Sequence, residues 1–449
     1  MVAHNTSPVA VIANVAEAFW EFLDRDPNPD SRAYRIRTEQ YRGDRTLIWA
    51  GDPKLVITSF PVPSLDFVRQ TLGFLGTEVA YPSHPSELLC SDILHQSDLF
   101  NRLVEYAGPA RKLTLIPYAT TPQFVELVEA LKSKAGLAVS LPETPLPHNQ
   151  WLLHYLDTKA GFRSLVSGWL SNSPVQLPEG FICQTPKEAA QVAQWFTEQK
   201  RPCIIKANMG TNGYGNFIVS SDQPLSEQQI AEKISSDPFF GLDLVVVEEL
   251  VVSENSISPS LECFVPPASV GSPQLTYICT QLFENFGEFC GVVVSKEQRT
   301  ALWYAPLVEA GLEIARNLQL LGYVGHFDMD AVVDDAGRPY PVEINPRRTG
   351  GTHVHDFASY VFGPNYLEQV TLLSRDPVNI GPAMDFSGLL KVLDGLWYPI
   401  DNKPRGIIPT VSSPIYEGEF GCLILGDSQA EVLDLQSKML RALSTQTER

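Results

Sequence analysis

The segment that most restricts the fold of this 449-residue chain is an acidic hairpin pattern in its C-terminal half. Apolar residues recur from Phe327 to Ile344 on either side of Asp334 to Gly337, a sequence typical of a tight turn, so we expect two antiparallel strands. Asp330 and Glu343 then lie on facing strands, where their carboxylates converge. Two carboxylates and the amide oxygen of Asn345 form a ligand set that suits Mg²⁺, and without a cation they would repel each other. The alternative is an acidic hairpin exposed to water, but the apolar neighbours of both acids favour a metal site.

A second block places a lysine and three glycines beside a predicted strand. The strand is predicted from Arg201 to Ala207 and carries Lys206 near its end. Before the next strand come Gly210, Gly213 and Gly215. A lysine there is costly to bury without an anion, and glycines let backbone N–H groups close over phosphates, although a plain hairpin turn is the alternative. The block is not a Walker loop, since no GKS or GKT follows, and not a dinucleotide fingerprint, since a strand and not a helix follows.

Composition limits the partners and the compartment. The formal net charge of −19 repels phosphate backbones and anionic lipids, so we expect neither nucleic acid nor a membrane as partner, and a nucleotide pocket has to be locally positive. The seven cysteines are scattered singly, which favours reduced thiols and a cytoplasmic location. The first apolar stretch, Val9 to Leu23, contains Glu17 and Glu21 and is predicted to be an amphipathic helix, not a signal peptide. No stretch of about 20 residues is apolar enough to span a membrane.

The order of predicted elements divides the chain into three parts. Residues 1–148 alternate strands with helices, which predicts a small parallel α/β domain, and the proline-rich segment 142–147 marks a linker. Residues 149–375 form a central region whose first part, 149–252, includes a small lobe. Residues 376–449 are predicted to form a short C-terminal α+β domain. The expected fold class is α/β, with an α+β central region.

Taken in order, these blocks resemble the ATP-grasp superfamily over roughly 157–355, nearly half of the chain. Leu156-Asp157-Thr158-Lys159 is similar to the Asp-Lys start of the grasp region, with Thr158 interrupting the usual adjacent pair. Lys206 matches the lysine that binds the α- and β-phosphates, and 209–216 matches the mobile loop that covers the triphosphate. The resemblance implies an N-terminal pre-ATP-grasp domain, a two-lobed ATP-grasp region, and ATP with Mg²⁺, or Mn²⁺ in its place, as cofactors. It assigns Lys159 to the phosphates as well.

Further motifs extend the resemblance to the adenine, metal and acyl ends of the site. Val247-Glu248-Glu249-Leu250-Val251 is similar to the interdomain hinge, where main-chain groups bind the adenine edge and a carboxylate holds the ribose; an ordinary strand end is the alternative. The residues that match the family's magnesium ligands are Asp330, Glu343 and Asn345. Arg347 matches an arginine that faces the transferred phosphate, and we expect Arg348 and His353 to orient the carboxylate.

A narrower resemblance is to the pheganomycin-type peptide ligases. The segments that carry it are Gly325-His-Phe-Asp-Met-Asp330, Glu343-Ile-Asn-Pro-Arg-Arg-Thr-Gly-Gly-Thr-His353, Gly406-Ile-Ile-Pro and Gly421-Cys-Leu-Ile-Leu-Gly-Asp427. His326 stands where an arginine is common in those enzymes, and Pro346 and Thr349 alter the segment after Asn345. The identity of the substrate is therefore not transferable.

The function implied by the resemblance is ATP-dependent carboxylate–amine ligation, which forms an amide or peptide bond through an acylphosphate and releases ADP and phosphate. Phosphorylation supplies a stable leaving group, so the enzyme contributes mainly positioning and charge neutralisation. The implied substrates are a small carboxylate and an amine, either an amino acid or a peptide. Alternatives are acylation of a carrier-protein thiol, a non-catalytic nucleotide-binding module, and an oxidoreductase, although the first strand lacks a GxGxxG.

Three other groups of residues have competing interpretations. His353 and His355 would suit a zinc pair, but no Cys or further His lies close in sequence. Each cysteine lies among apolar residues, which is typical of an inert thiol. The last group forms either a substrate lid or a surface loop with a hydrophobic anchor, and consists of Phe283, Glu284, Phe286, Glu288 and Phe289.

Overall fold

The computed structural model describes residues 7–210, 213–223, 225–241, 243–254, 256–284 and 288–447. In these residues the chain forms a parallel sheet of five strands, an antiparallel sheet of four and an antiparallel sheet of eight, so the predicted mixed α/β class is confirmed. Within the same residues, no helix is both long enough and apolar enough to cross a membrane.

The N-terminal sheet is parallel, as predicted. Its strands are β1 (Val9–Ile12), β2 (Lys54–Ile57), β3 (Thr77–Ala80), β4 (Lys112–Pro117) and β5 (Ala138–Ser140), in the order β3-β2-β1-β4-β5. The helices that accompany them are α1 (Val15–Leu23), α2 (Pro29–Tyr41), α3 (Leu65–Leu72), α4 (Leu89–His95), α5 (Ser97–Tyr106) and α6 (Pro122–Ser133). The central strand β1 is buried on both faces, where Ala10, Val11 and Ile12 have no exposed surface.

The strand β1 corrects the prediction of one helix from Val9 to Leu23, because only Val15–Leu23 is helical. A strand buried on both faces shows a continuous apolar run, and periodicity alone cannot distinguish such a run from part of a buried helix. Asn14 separates the two elements, and its Oδ1 accepts a hydrogen bond from the backbone N–H of Tyr118 at 3.0 Å. This contact ties the end of β1 to the end of β4.

Two short helices and a small lobe follow the linker. The helices are α7 (Trp151–Asp157) and α8 (Lys159–Trp169), and the Thr158 hydroxyl caps α8 by accepting the N–H of Gly161 at 3.0 Å. The strands of the lobe are β6 (Gly180–Cys183), β7 (Cys203–Ala207), β8 (Asn216–Val219) and β9 (Val245–Glu249), in the order β6-β9-β7-β8. Two helices, α9 (Pro186–Glu198) and α10 (Glu227–Ser236), pack on this sheet through a shared apolar core.

The remaining strands form one continuous antiparallel sheet. They are β10 (Pro259–Val265), β11 (Gln274–Glu284), β12 (Glu288–Val294), β13 (Gly325–Val333), β14 (Pro339–Asn345), β15 (Thr371–Asn379), β16 (Gly406–Val411) and β17 (Glu419–Gly426). Their order is β14-β13-β10-β11-β12-β15-β17-β16. The accompanying helices are α11 (Tyr304–Leu320), α12 (Thr352–Phe362), α13 (Phe386–Val392) and α14 (Gln429–Thr447). The helices α8 and α11 share one apolar core with β10 and β13, whereas α13 and α14 share another with β15 and β17.

The boundary predicted between residues 375 and 376 lies inside β15. Because β16 and β17 continue the same sheet, the C-terminal residues share their backbone hydrogen bonding with the central region. The connection between β16 and β17 also contacts the N-terminal domain, since Asp44 accepts the backbone N–H groups of Ser412 and Ser413 at 2.8 Å each. The division of the chain at 148 and 375 stays a prediction.

Candidate active site

The acidic hairpin has the predicted geometry. Gly337 adopts a left-handed φ of +77° in the turn, and its N–H donates to the carbonyl of Asp334 at 2.9 Å. The register between β13 and β14 then places Asp330 directly opposite Glu343, and Asp328 opposite Asn345. Directly opposed residues have Cβ atoms about 5 Å apart, so these four side chains share one face of the hairpin.

The aspartates on this face of the hairpin have raised pKa values, because they are buried and lie close to other carboxylates. Burial, followed by the charge of Glu343, raises the pKa of Asp330 to about 7. Burial and the neighbouring Asp330 raise the pKa of Asp328 well above its usual range. The amide groups of Gln281 and Asn345 donate to Asp330 at 2.8 and 3.2 Å.

These residues fit a hard cation. Within the described residues, no group of three or more His, Cys, Asp or Glu side chains is arranged to hold a metal by itself. A cation between Asp330 and Glu343 would therefore complete its ligand set with Asn345, water and phosphate oxygens, which is how Mg²⁺ commonly binds. The role of these three residues as metal ligands stays a proposal.

Both predicted phosphate-binding lysines lie beside carboxylates. Lys159 Nζ is 2.7 Å from Glu343 Oε1, and Lys206 Nζ is 2.6 Å from Glu248 Oε2. Both lysine side chains are more than nine-tenths buried, at 7% and 9% exposed. A second cation, Arg163, holds the other oxygen of Glu248 at 2.8 Å. Each lysine thus has a counter-ion that phosphate oxygens would compete with.

A cavity of about 340 Å³ brings these groups together. Its wall includes most of the predicted site residues, namely Lys159, Lys206, Gly210, Gly213, Glu248, Glu249, Leu250, Val251, Asp330, Glu343, Asn345 and Arg347. Gly215 and Arg348 do not line it. The cationic strand of the small lobe and the acidic hairpin therefore face the same space, as the sequence predicts.

The glycine-rich segment is only partly described, because Thr211 and Asn212 lie outside the described residues. Gly215 has a φ of +79°, and its carbonyl accepts the N–H of Ala207 at 2.7 Å. A Cβ at Gly215 would lie 2.8 Å from the Cβ of Ala207, so the glycine allows β7 and β8 to come together. Gly215 thus supports the hairpin instead of lining the cavity.

The predicted hinge joins the small lobe to the rest of the site. The backbone N–H of Leu250 donates to the carbonyl of Pro202 at 3.0 Å. Glu249 is held by Arg201, whose Nη2 lies 2.7 Å from Glu249 Oε2. Glu248 is almost fully buried and is bound by Lys206 and Arg163, so its carboxylate is occupied by cations.

The two neighbouring arginines have different positions. Arg347 lines the cavity, pairs with Asp157, and donates from Nη2 to Asn345 Oδ1 at 3.0 Å. Its Nε is buried and has no hydrogen-bond partner among the residues that the structure describes. Arg348 instead binds both oxygens of Glu143 at 2.8 Å and Asp356 at 2.9 Å, and is 4% exposed. The expectation that Arg348 orients a substrate carboxylate does not fit this position, because its donors are already used by carboxylates of the linker and of α12.

The histidine and cysteine alternatives receive no support. His353 is fully buried, with Nε2 3.3 Å from Ser374 Oγ, and His355 Nδ1 lies 3.1 Å from the hydroxyl of Tyr366. Burial lowers the pKa of both imidazoles. All seven cysteines are buried free thiols, as the sequence predicts for inert ones. Of the possible lid, Phe283 and Phe289 line the cavity, whereas Phe286 lies outside the described residues.

The cavity wall does not have the net positive charge that the sequence analysis expects of a nucleotide pocket. Its basic residues are Arg42, Arg45, Lys159, Lys206 and Arg347, and its acidic residues are Glu39, Glu248, Glu249, Asp328, Asp330 and Glu343. Five basic residues against six acidic ones make the cavity nearly balanced, although less acidic than the chain as a whole. A bound cation would supply the positive charge that a polyphosphate needs here.

Several wall residues escaped the sequence analysis. Arg42, Arg45, Trp49 and Tyr118 come from the N-terminal domain and line the same cavity. Nothing in their local sequence marks them, because they reach the site only through the packing of the domain against the large sheet. Asp328 could have been found, since it lies two positions before Asp330 on a strand and therefore on the same face.

No family model matches the sequence, and no curated protein matches it in sequence. Solved structures match at the level of fold. N5-carboxyaminoimidazole synthetase from Staphylococcus aureus has a TM-score of 0.52 at 10% identity, covering 97% of this chain and 98% of that chain. Biotin carboxylase from Campylobacter jejuni has a TM-score of 0.56 at 12% identity, covering 95% and 89%.

The biotin carboxylase domain of Hydrogenobacter thermophilus 2-oxoglutarate carboxylase, solved with MgADP, ADP and bicarbonate, has a TM-score of 0.53 at 12% identity and covers 98% and 90%. These structures are ATP-grasp enzymes with a pre-ATP-grasp domain. At such low identity the likeness concerns the fold alone. The chain therefore shares the overall fold of these structures, with a parallel N-terminal sheet and a large antiparallel sheet.

Proposed function

We propose that the chain is an ATP-dependent carboxylate–amine ligase that works through an acylphosphate. The observation that carries the proposal is the meeting of Lys206 with Asp330 and Glu343 in the wall of one cavity. Separate positions for the cationic strand and the acidic hairpin would have excluded a metal-bound triphosphate. Neighbours of the same fold solved with ADP or MgADP support the nucleotide assignment.

In this proposal, residues of the cavity wall have roles that their positions support. Lys159 and Lys206 would exchange their carboxylate partners for phosphate oxygens, and Asp330, Glu343 and Asn345 would hold Mg²⁺. The metal would neutralise charge on the phosphates. Arg347, which lines the cavity, would donate from its guanidinium to the transferred phosphate or to the tetrahedral species that follows. Because β9 pairs with β6 and β7 and the Leu250 N–H donates to Pro202, the adenine edge would contact the backbone at the end of segment 247–251, at Val251.

The proposal includes the predicted three parts of the chain. Residues 1–148 would be the pre-ATP-grasp domain, 149–375 the ATP-grasp region and 376–449 the C-terminal extension. Small acids and amines, not nucleic acid, would be the partners. The acceptor would be an amino acid or, as the narrower resemblance to pheganomycin-type ligases suggests, a peptide.

The test is a screen for phosphate release from ATP and Mg²⁺ with pairs of acids and amines, followed by mass analysis of products. Bicarbonate belongs in the acid panel because one structural neighbour holds it. We expect ADP and phosphate only when both an acid and an amine are present, and no release from the Lys206→Met variant, which controls for contaminating ATPases. Nucleotide binding without turnover would favour the non-catalytic module, and turnover only with a phosphopantetheine-bearing carrier would favour the thioester reaction.

A further inference from the structure

One end of the cavity is built by the N-terminal domain and has no role in binding ATP in the proposal above. It is formed by Arg42, Arg45 and Trp49, which lie between α2 and β2, together with Tyr118 after β4. Phe289 on β12 and Gly350 in the loop after β14 complete the wall. We call this set, with Phe283, the aromatic end of the cavity.

Arg45 has a buried donor that no described residue satisfies. Its Nη2 pairs with Asp376, whereas its Nε has no hydrogen-bond partner among the described residues. Only 8% of the residue is exposed, so water cannot readily solvate the guanidinium. Arg42 also pairs with Asp376, at 3.3 Å, so the two arginines share this one carboxylate. An enclosed arginine that lines a cavity and has an unsatisfied donor is suited to a carboxylate.

A second unsatisfied donor lies one turn further along the chain. Trp49 is 1% exposed, and its indole Nε1 has no hydrogen-bond partner among the described residues. Its ring stacks on Tyr118 with centroids 6.3 Å apart and planes 14° apart. Both donors therefore sit in an apolar, rigid wall, where an unpaired N–H group is costly.

The same end of the cavity has an aromatic wall beside Arg45. Phe283 and Phe289 meet edge to face with centroids 6.4 Å apart. A Cβ at Gly350 would lie 3.1 Å from the ring of Phe289 and 3.3 Å from Arg45 Nη1, so the glycine allows the ring and the guanidinium to lie beside each other in the wall. A ligand at this end of the cavity contacts an aromatic surface and a charged donor together.

We propose that the aromatic end of the cavity binds an aromatic or large apolar α-amino acid, with its carboxylate on Arg45 and its side chain against Phe289. This amino acid would be the amine acceptor, and its carboxylate would not be the one that is phosphorylated. The assignment as acceptor rests on the proposed ligase function, whereas the binding of the amino acid does not.

Charge balance favours a zwitterion over a plain acid. The two arginines of this end are matched by Glu39 and Asp376. A plain carboxylate would add one uncompensated negative charge to this enclosed group, and a zwitterion would add none. The free ammonium would also be the nucleophile precursor that a carboxylate–amine ligase requires.

Calorimetry without nucleotide tests the site directly. The probes are L-phenylalanine, L-tyrosine and L-leucine, each with its primary amide. We expect at least one acid to bind about tenfold tighter than its amide, the value of a charge-assisted hydrogen bond. In Arg45→Lys the acid should lose that advantage while the amide binds as before, and in Trp49→Phe the acid should weaken by a few-fold. Arg102→Lys, which alters an exposed pair with Glu78, is the matched control and should change nothing.

The outcomes separate this inference from the ligase proposal. Equal binding of acid and amide, no binding of any probe, or an unchanged preference in an Arg45→Lys protein that still binds MgADP would overturn the aromatic site. Amino acid binding without any ATP turnover would support the site and reject the ligase. A hydroxamate of the bound amino acid, formed with ATP and hydroxylamine, would show that its own carboxylate is activated and would overturn its assignment as the acceptor.

Discussion

The substitution Glu343→Gln tests the metal site through two opposing energies. Glu343 attracts Lys159 across 2.7 Å and repels Asp330, which it faces across the hairpin. With an effective dielectric constant near 20, the attraction is worth about 6 kcal/mol, and repulsion over about 5 Å costs about 3 kcal/mol. The substitution removes both, and solvent screens what remains because the Glu343 side chain is 27% exposed. We therefore expect the free energy of unfolding to fall by only about 1–2 kcal/mol.

Turnover should respond far more than stability. The bound cation would lose one of its two anionic ligands, and the loss of one such electrostatic contact lowers kcat by about 10²–10³. Calorimetry of ADP with and without Mg²⁺ gives a second measurement: Mg²⁺ should strengthen ADP binding in the wild type but not in Glu343→Gln. Metal-free ADP should bind the variant at least as tightly as the wild type, because Lys159 loses a carboxylate that competes with the phosphates. The matched control is Glu129→Gln, which removes the same charge from an exposed pair with Lys132 at 3.1 Å. Unchanged turnover, or an equal loss of metal-free ADP binding, would refute the reasoning.

Single contacts elsewhere give three further tests. Lys206→Met removes the cation beside Glu248 and should raise the Kd for MgADP by about 10–100-fold in calorimetry, with the melting temperature retained; an unchanged Kd would exclude Lys206 from the phosphate site. Burial lowers the pKa of Lys54 to about 7, whereas in the unfolded chain the lysine stays protonated to about pH 10, so the free energy of unfolding of the wild type should rise with pH between those values. Urea unfolding at pH 7 and 9.5 measures this rise, and Lys54→Met should lose it. Glu143→Gln leaves Arg348 without its two-point partner and should lower the free energy of unfolding by about 3–5 kcal/mol, while turnover per folded molecule stays the same; a variant as stable as the wild type would contradict the structural role.

The parts of the site that sequence predicts well are those that local rules determine. The hairpin of Asp330 and Glu343 follows from alternation and from a turn that needs Gly337. The strand of Lys206 follows from an apolar run that ends in glycines. In each case neighbours in sequence are also neighbours in space, so the register is fixed before any tertiary contact is considered.

The parts that sequence misses depend on packing between distant segments. The apolar run of β1 predicts a helix, because burial on both faces hides the period of a strand. Arg348 follows Arg347 directly, yet Glu143, about 200 residues earlier, determines what it binds. Arg45 lies in the cavity wall only because the N-terminal domain packs against the large sheet, and no local pattern carries that information.

The continuity of the eight-stranded sheet also bears on the selection of substrates by size. Four inter-strand intervals separate the strand of Glu343 from the strand of Phe289, about 19 Å measured along the sheet. Hydrogen-bonded strands do not slide past one another, so this separation is set by the backbone and not by side-chain adjustment. A series of α-amino acid acceptors that differ only in the number of methylene groups between the α-carbon and the ring should therefore give its highest kcat/KM at one length and fall away on both sides.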